Sequence, residues 1–284
     1  MNLTTYKQAG EFLEAALPSL LCEEAKNNLM VGISMRLREG RPCGDGSPLF
    51  LTVKDGEELV AAAIRTPPYP LILHCESDRL EALEVIADHL AEIGYRLPGA
   101  NGTVPVVTAF AEAWCRRTLM PSVLLKSLCI YSLTTICHPV DIPGHVRWAT
   151  EGDIPTLAKW FLAFHEEAMP DDPPANPEAS IRLFMNNGKL AVWEHDGLVS
   201  MAGSSRGTPN GATVSAVYTP PGHRGHGYAS ACVAALSQAL LDDGNRFCTL
   251  YTDLSNPTSN KIYQNVGYRP IADCAMVRFE ESKD

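Results

Sequence analysis

Residues 214–230 constrain the fold of this chain more than any other segment. They read Val-Ser-Ala-Val-Tyr-Thr-Pro-Pro-Gly-His-Arg-Gly-His-Gly-Tyr-Ala-Ser. An apolar run meets two prolines that lack a backbone donor, and Gly225 and Gly227 then allow positive φ and a close approach of the main chain to a ligand. The helix formers that follow would begin a helix whose first N–H groups are unpaired and partly positive. The segment therefore predicts a strand, a glycine turn and a helix that bind an anion such as a pyrophosphate.

Other ligands fit this loop less well. No Lys-Ser/Thr pair completes a P-loop, and no third glycine completes a dinucleotide-binding fingerprint. His223 and His226 lie close together, but no neighbouring cysteine or carboxylate would complete a set of metal ligands. The sequence therefore predicts no metal site.

Length and composition limit the class of protein. The 284 residues favour two domains, and 45% hydrophobic with 20% charged residues is typical of a soluble globular chain. A formal net charge of −10 argues against nucleic acid as a partner. No apolar run approaches the ~20 residues of a membrane span, and the first residues do not resemble a secretion signal. Nine scattered cysteines without a C-x-x-C pair indicate reduced thiols, so we predict a cytoplasmic protein.

The first half shows both helix and strand signals. Two short apolar runs, 49–53 and 59–64, flank Asp55-Gly56 and predict a hairpin. Apolar residues at spacings of three and four predict a helix over 79–93, with Asp78 and Glu81 as a capping box and Gly94 as its stop. A further helix is predicted around 106–118. The turn formers at 138–144 place a domain boundary there, giving domains 1–138 and 139–284.

The second half alternates strands and helices, as expected for an α/β or α+β domain with a mixed sheet. Its predicted elements are a strand at 146–149, a helix capped by Thr150, a hairpin at 190–202 turning through Asp196-Gly197, a helix at 229–241, a strand at 247–253 and a helix at 256–268. The hairpin is similar to the one in the first half, which suggests a duplication. Since the first half lacks the glycine loop, a first-half copy is expected to have lost the ligand.

Two motifs in this order resemble the GNAT superfamily of acyl-CoA-dependent N-acetyltransferases. The pyrophosphate signature Arg/Gln-x-x-Gly-x-Gly/Ala is matched by Arg224, Gly227 and Ala229. A second signature is matched by Asn256, Tyr263, Gly267 and Tyr268. The resemblance covers roughly residues 145–280 and implies a GNAT fold there. For the first half it implies a smaller, degenerate GNAT-like or companion α/β domain, which is expected to shape the acceptor cleft.

The resemblance also implies roles for individual residues. Backbone groups of Val217, Tyr218 and Thr219 would pair with the pantetheine arm and polarise the thioester carbonyl. Asn256 would bind the pantetheine region, and Tyr263 would protonate the leaving thiolate. The implied pyrophosphate donors are Arg224, Gly225, His226, Gly227, Tyr228, Ala229 and Ser230.

The expected reaction is direct attack of a primary amine on acetyl-CoA, with no metal. Because an ammonium group cannot attack, a base or water chain has to remove its proton, and Glu166, Glu167 and His165 are candidate bases. One alternative is a non-catalytic acyl-CoA sensor or regulatory module, and another is transfer of a longer acyl group or an aminoacyl group. The amine acceptor and the oligomeric state are left open.

Overall fold

The computed structural model describes residues 1–41, 43–170, 174–187 and 189–280. They separate into two compact units. Unit 1 contains residues 1–130, 253–255 and the described residues from 271 onward, and unit 2 contains residues 131–252 and 256–270. The domain limits 1–138 and 139–284 stay a prediction. Among the helices in the described ranges, none combines the length and apolar character of a membrane span.

Unit 1 is a mixed sheet with helices on both faces. Its helices are α1 (Ala9–Leu20), α2 (Asn28–Arg38), α3 (Ala82–Glu92) and α4 (Val104–Thr118). Its first five strands, which lie in this order, are β1 (Asn2–Tyr6), β2 (Leu49–Asp55), β3 (Glu58–Arg65), β4 (Leu71–Cys75) and β5 (Gly99–Thr103). Neighbours are antiparallel except the parallel pair of β4 with β5.

Alternation along β3 explains the two faces of this sheet. Ala61 and Ala63 pack with α3 and α4, whereas Ala62 and Ile64 pack with α1 and α2. The predicted hairpin and both predicted helices are confirmed. The capping box at Asp78 and Glu81 is wrong, because Glu81 is itself the N-cap in a helical conformation and no side chain in the described ranges caps α3.

Two further strands contain residues of both units. In β6 (Ser122–Leu133), residues 122–130 belong to unit 1. In β12 (Arg269–Phe279), residues 271–279 belong to unit 1, where the strand runs antiparallel to β5. The register joins Cys274 with Thr103 and Arg278 with Gly99. A sequence from the end of the second half therefore completes part of the unit 1 sheet.

Unit 2 holds the motifs singled out in the sequence. Its strands lie in chain order as β7 (His145–Trp148), β8 (Lys189–Glu194), β9 (Leu198–Gly207), β10 (Gly211–Tyr218) and β11 (Phe247–Asp253). Its helices are α5 (Ile154–Ala168), α6 (Pro177–Asn187), α7 (Tyr228–Asp242) and α8 (Pro257–Val266). Only the pairing of β10 with β11 is parallel among these five strands as described. The predicted mixed sheet, hairpin and helices are confirmed.

A buried carboxylate begins α5. Thr150 forms a capping box, but with the short 3₁₀ turn Glu151–Asp153 that leads into α5, whose own N-cap is Asp153. The Thr150 N–H and Oγ1–H donate to Asp153 Oδ2 at 2.7 and 2.8 Å. Two guanidinium nitrogens of Arg147 donate to the Asp153 carboxylate at 2.7 and 2.9 Å. The Arg147 hydrogen bonds, followed by those from Thr150, hold the pKa of Asp153 well below its ordinary value even though burial opposes this. Asp153 thereby fixes β7 to the start of α5.

Asp153→Asn is expected to destabilise unit 2 near neutral pH and to change its acid sensitivity. Because the folded pKa is lowered, the stabilisation is complete above the unfolded value of about 3.9 and is lost as pH falls below it. Urea unfolding of both proteins across this range measures the effect. The free-energy difference should shrink toward acid pH, and a difference independent of pH would contradict the prediction.

Candidate functional site

The parallel strands β10 and β11 pair over only part of their length. Their register joins residues 211–213 of β10 with 247–249 of β11, and the hydroxyls of Thr213 and Thr249 lie 3.2 Å apart at the last pair. Both strands continue, to Tyr218 and to Asp253, without further pairing between them in the described register. Their carboxyl ends therefore open a gap in the sheet, where polar backbone groups can meet a ligand.

A β-bulge lies beside this opening. The pairing of β10 with β9 slips after Ser215 and resumes at Tyr218. Ala216 has a φ of +51°, which a residue with a Cβ adopts only at a conformational cost. Val217 has no register partner in β9 or β11 as described. The bulge therefore leaves Val217, which the resemblance predicts to contact the pantetheine arm, without a register partner among the described strands.

A buried serine holds the end of β10. Ser200 is fully buried, and its Oγ lies 3.2 Å from the Tyr218 carbonyl oxygen and 2.9 Å from Thr219 Oγ1. Since Tyr218 also pairs with Met201, its backbone is already engaged by β9. Of the three residues predicted to touch the pantetheine arm, Val217 thus has the least committed backbone.

The loop after β10 presents backbone donors to solvent. Gly225 and Gly227 have φ of +82° and +81°, as the sequence predicted, and Gly227 is the N-cap of α7 without a side-chain cap. Within the described residues, we find no acceptor for the backbone N–H groups of residues 225–230, the first being Ala231, which donates to Gly227. Such a row of donors at a helix start, with alternating backbone handedness, suits an anion. The structure thus brings together all the predicted pyrophosphate donors after Arg224.

The loop of N–H donors at residues 225–230, which we call the cradle, is tight on one side. A Cβ built on Gly227 would lie 2.5 Å from Ile142 Cδ1, whereas one on Gly225 would meet no atom within 4 Å. Tyr228 is buried, with its ring 6.0 Å from that of His195 and 5.6 Å from that of His226. The φ of +81° favours glycine at 227, whereas the close contact is with the far end of the flexible Ile142 side chain, which can shift.

Tyr263 lies on α8 and carries an uncommitted hydroxyl. Its ring packs edge-on against Tyr268, with centroids 6.1 Å apart, and Tyr268 in turn bonds Ser237 Oγ at 2.8 Å. No residue in the described part of the chain hydrogen-bonds the Tyr263 hydroxyl. Burial raises the pKa of Tyr263 to about 12, so the phenol keeps its proton at neutral pH. It is therefore suited to donate a proton rather than to accept one.

The side chain of Asn256 caps the start of α8. Its Oδ1 accepts the N–H of Ser259 at 3.0 Å, which makes it the N-cap of α8, and Gly267 ends the helix with a φ of +113°. The sequence predicts either Ser255 or Asn256 as the cap and Gly267 as the stop, and the structure has Asn256 as the cap. The amide nitrogen of Asn256 has no partner among the described residues, so this group is available to a ligand. A second amide, Asn260, accepts from Thr252 Oγ1 at 2.8 Å and ties α8 to β11.

The three candidate bases occupy the last turn of α5 but have different surroundings. His165 packs its ring against Phe161 and Phe164, at centroid distances of 4.6 and 5.5 Å. Glu167 accepts two bonds from Arg224 Nη2, at 2.7 and 2.9 Å. Glu166 is exposed and has no hydrogen bond or ion pair with the described residues. Because consecutive helix positions differ by about 100°, the three side chains cannot all face one cleft.

Unit 1 repeats the strand opening but not the glycine loop. Parallel pairing of β4 with β5 is limited to Leu71 and Ile72. The connection that follows β4, residues 76–81, contains three carboxylates and one arginine, Arg79. That arginine is paired with Asp55 at 2.7 Å and with Glu81 at 2.9 Å. An acidic connection without glycine is poorly suited to a diphosphate.

No group of three or more His, Cys, Asp or Glu side chains within the described ranges is placed to hold a metal ion. The nine cysteines are all free thiols. His223 and His226, considered as metal ligands in the sequence, belong to the loop between β10 and α7, where His226 packs beside Tyr228.

Comparisons with known proteins give one matching family model and a set of similar folds. Residues 154–268 match the model of the acetyltransferase (GNAT) family. No curated protein sequence is similar enough to count as a relative. Among solved structures, a GNAT-family acetyltransferase from Colwellia psychrerythraea is 14% identical with a TM-score of 0.56, covering 99% of both chains.

Two further structures are similar over nearly the whole chain. One is a tandem GNAT protein from the clavulanic acid biosynthesis pathway, 14% identical, with a TM-score of 0.63 and 100% coverage of both chains. The other is a GCN5-related N-acetyltransferase from Sphaerobacter thermophilus, 14% identical, with a TM-score of 0.63, covering 97% of this chain and 95% of that one. At these identities the likeness shows the fold alone. It extends over both halves, consistent with two GNAT-like halves.

Proposed function

Since residues 154–268 form a domain of the GNAT acetyltransferase family, we propose that this chain is an N-acetyltransferase that moves an acetyl group from acetyl-CoA to a primary amine. The observation that carries the proposal is the row of unpaired N–H groups at residues 225–230, beside the gap between β10 and β11. The row would bind the diphosphate, and the gap would admit the pantetheine arm. Donor and acceptor then meet at the carboxyl end of β10.

The chain supplies positioning, polarisation and an acid. Backbone at Val217, Tyr218 and Thr219 would orient the thioester, with the Val217 N–H as the donor to its carbonyl oxygen. The amine nitrogen attacks the carbonyl carbon, the C–S bond breaks, and the acetyl group ends on nitrogen. Tyr263 would give its proton to the thiolate that leaves.

Removal of the amine proton needs a base. Of the predicted candidates, Glu166 has a free carboxylate, whereas Glu167 is engaged with Arg224 and His165 is packed among aromatic rings. We therefore propose Glu166 as the first candidate for the general base, acting directly or through water.

The free thiols of the nine cysteines support the proposed cytoplasmic location.

A thiol-release assay with acetyl-CoA against a panel of primary amines tests this function. We expect one acceptor class to give release that saturates in both substrates, with the N-acetyl product identified by mass. CoA binding without release from any amine would favour a non-catalytic sensor. Faster release from a bulkier thioester would favour a different acyl donor, and an absence of CoA binding would refute the proposal.

A further inference from the structure

Arg224, the first residue of the pyrophosphate signature, is committed to protein contacts. Its Nε donates to the carbonyl oxygen of Thr219 at 2.9 Å. Its Nη2 donates to both carboxylate oxygens of Glu167 on α5. The guanidinium carbon lies 5.7 Å from the centroid of the Tyr218 ring. One side chain therefore joins the end of β10, the loop and the last turn of α5.

These contacts leave little positive charge for a ligand. The carboxylate of Glu167 neutralises the guanidinium, and the two side chains are 51% and 47% exposed, respectively. An ion pair this exposed contributes little free energy on its own, so its role is to fix geometry rather than to add strength. The planar fork of arginine fixes directions that a lysine ammonium does not.

The same contacts act on the residues that matter for donor binding. Arg224 directly precedes Gly225, where the backbone turns to positive φ and the row of unpaired N–H groups starts. The bond to Thr219 closes the loop onto the strand end, and the bond to Glu167 holds it against α5. A loop fixed before the ligand arrives loses less conformational entropy on binding.

We propose that Arg224 is a positioning residue for the diphosphate loop and that Glu167 is its anchor rather than the general base. The proposal rests on the function proposed above. It states that Arg224 acts on CoA through the shape of the loop and not through its charge. Glu167 is thereby removed from the candidate bases.

Calorimetric titration with CoA, which needs no turnover, tests the proposal. Arg224→Lys keeps the charge but not the fork, and we expect it to weaken CoA binding about tenfold, as much as Arg224→Met. Glu167→Gln should weaken it about threefold, and combined with Arg224→Lys should add nothing further. The acid limb of the pH–rate profile should be unchanged in Glu167→Gln.

Glu151→Gln is the matched control, because Glu151, just before the start of α5, forms an exposed ion pair with Arg182 of α6. It should leave CoA affinity unchanged, and thermal unfolding should show all variants folded. Wild-type affinity in Arg224→Lys, tighter binding in Glu167→Gln, or loss of the acid limb in Glu167→Gln would each overturn the inference alone. Failure of the unmodified chain to bind CoA would overturn the proposed function as well.

Discussion

Tyr263→Phe is expected to lower kcat by about 10²–10³-fold while leaving CoA affinity close to that of the unmodified protein. The substitution removes only the hydroxyl, which has no hydrogen bond to the described residues, and keeps the ring that packs on Tyr268. Turnover measured by thiol release and affinity measured by calorimetry separate the two effects. The loss should be smaller with a thioester whose leaving thiol is more acidic, because such a thiolate needs less protonation.

Tyr268→Phe is the control for this prediction. It removes a hydroxyl from the same aromatic pair, but one that is buried against Ser237. We expect it to cost about 1 kcal/mol of folding free energy and to leave kcat unchanged. If both variants lose turnover equally, or if Tyr263→Phe loses none, Tyr263 is not the acid.

The second large effect is expected from Gly227→Val, which should weaken CoA binding on the order of 100-fold, or about 2.8 kcal/mol. A β-branched residue is strained at a φ of +81°, and its Cβ would approach Ile142 Cδ1 to 2.5 Å. Titration with CoA measures the loss.

Gly244→Val separates backbone strain from the shape of the cradle. Gly244 follows the other end of α7, has a φ of +98° and has open space around its Cβ. That variant should lose folding stability and keep CoA affinity. An equal loss of CoA affinity in both variants would show that backbone strain at the ends of α7, and not a change in the shape of the cradle, is responsible.

Local signals made much of the site predictable. Glycine at positive φ, two prolines after a strand and an Asn-Pro pair at a helix start are each set by the conformational limits of single residues. Gly225, Gly227 and Gly267 accordingly have positive φ, and Asn256, one of the two predicted caps, begins α8. The hairpin around Asp55-Gly56 was predictable for the same reason.

Contacts between distant residues were not predictable from the sequence. Alanine has no preference for positive φ, so the residue type at 216 gives no signal for the β-bulge that leaves Val217 without a register partner in the described strands. The pairing of Glu167 with Arg224 depends on how α5 packs on the sheet. The capping box at Asp78 and Glu81 failed because the chain winds through successive turns before α3, so Glu81 is already helical when the helix begins.

The pairing of β12 with β5 affects the order in which this protein can be completed during synthesis. A ribosome makes β5 early, yet the strand that pairs Cys274 with Thr103 is made only after the sequence of unit 2. Until then one edge of a nascent sheet is unpaired, and such edges favour association with other chains. Cutting the gene between its halves would leave the first product without this strand, so the two halves should be expressed as one polypeptide.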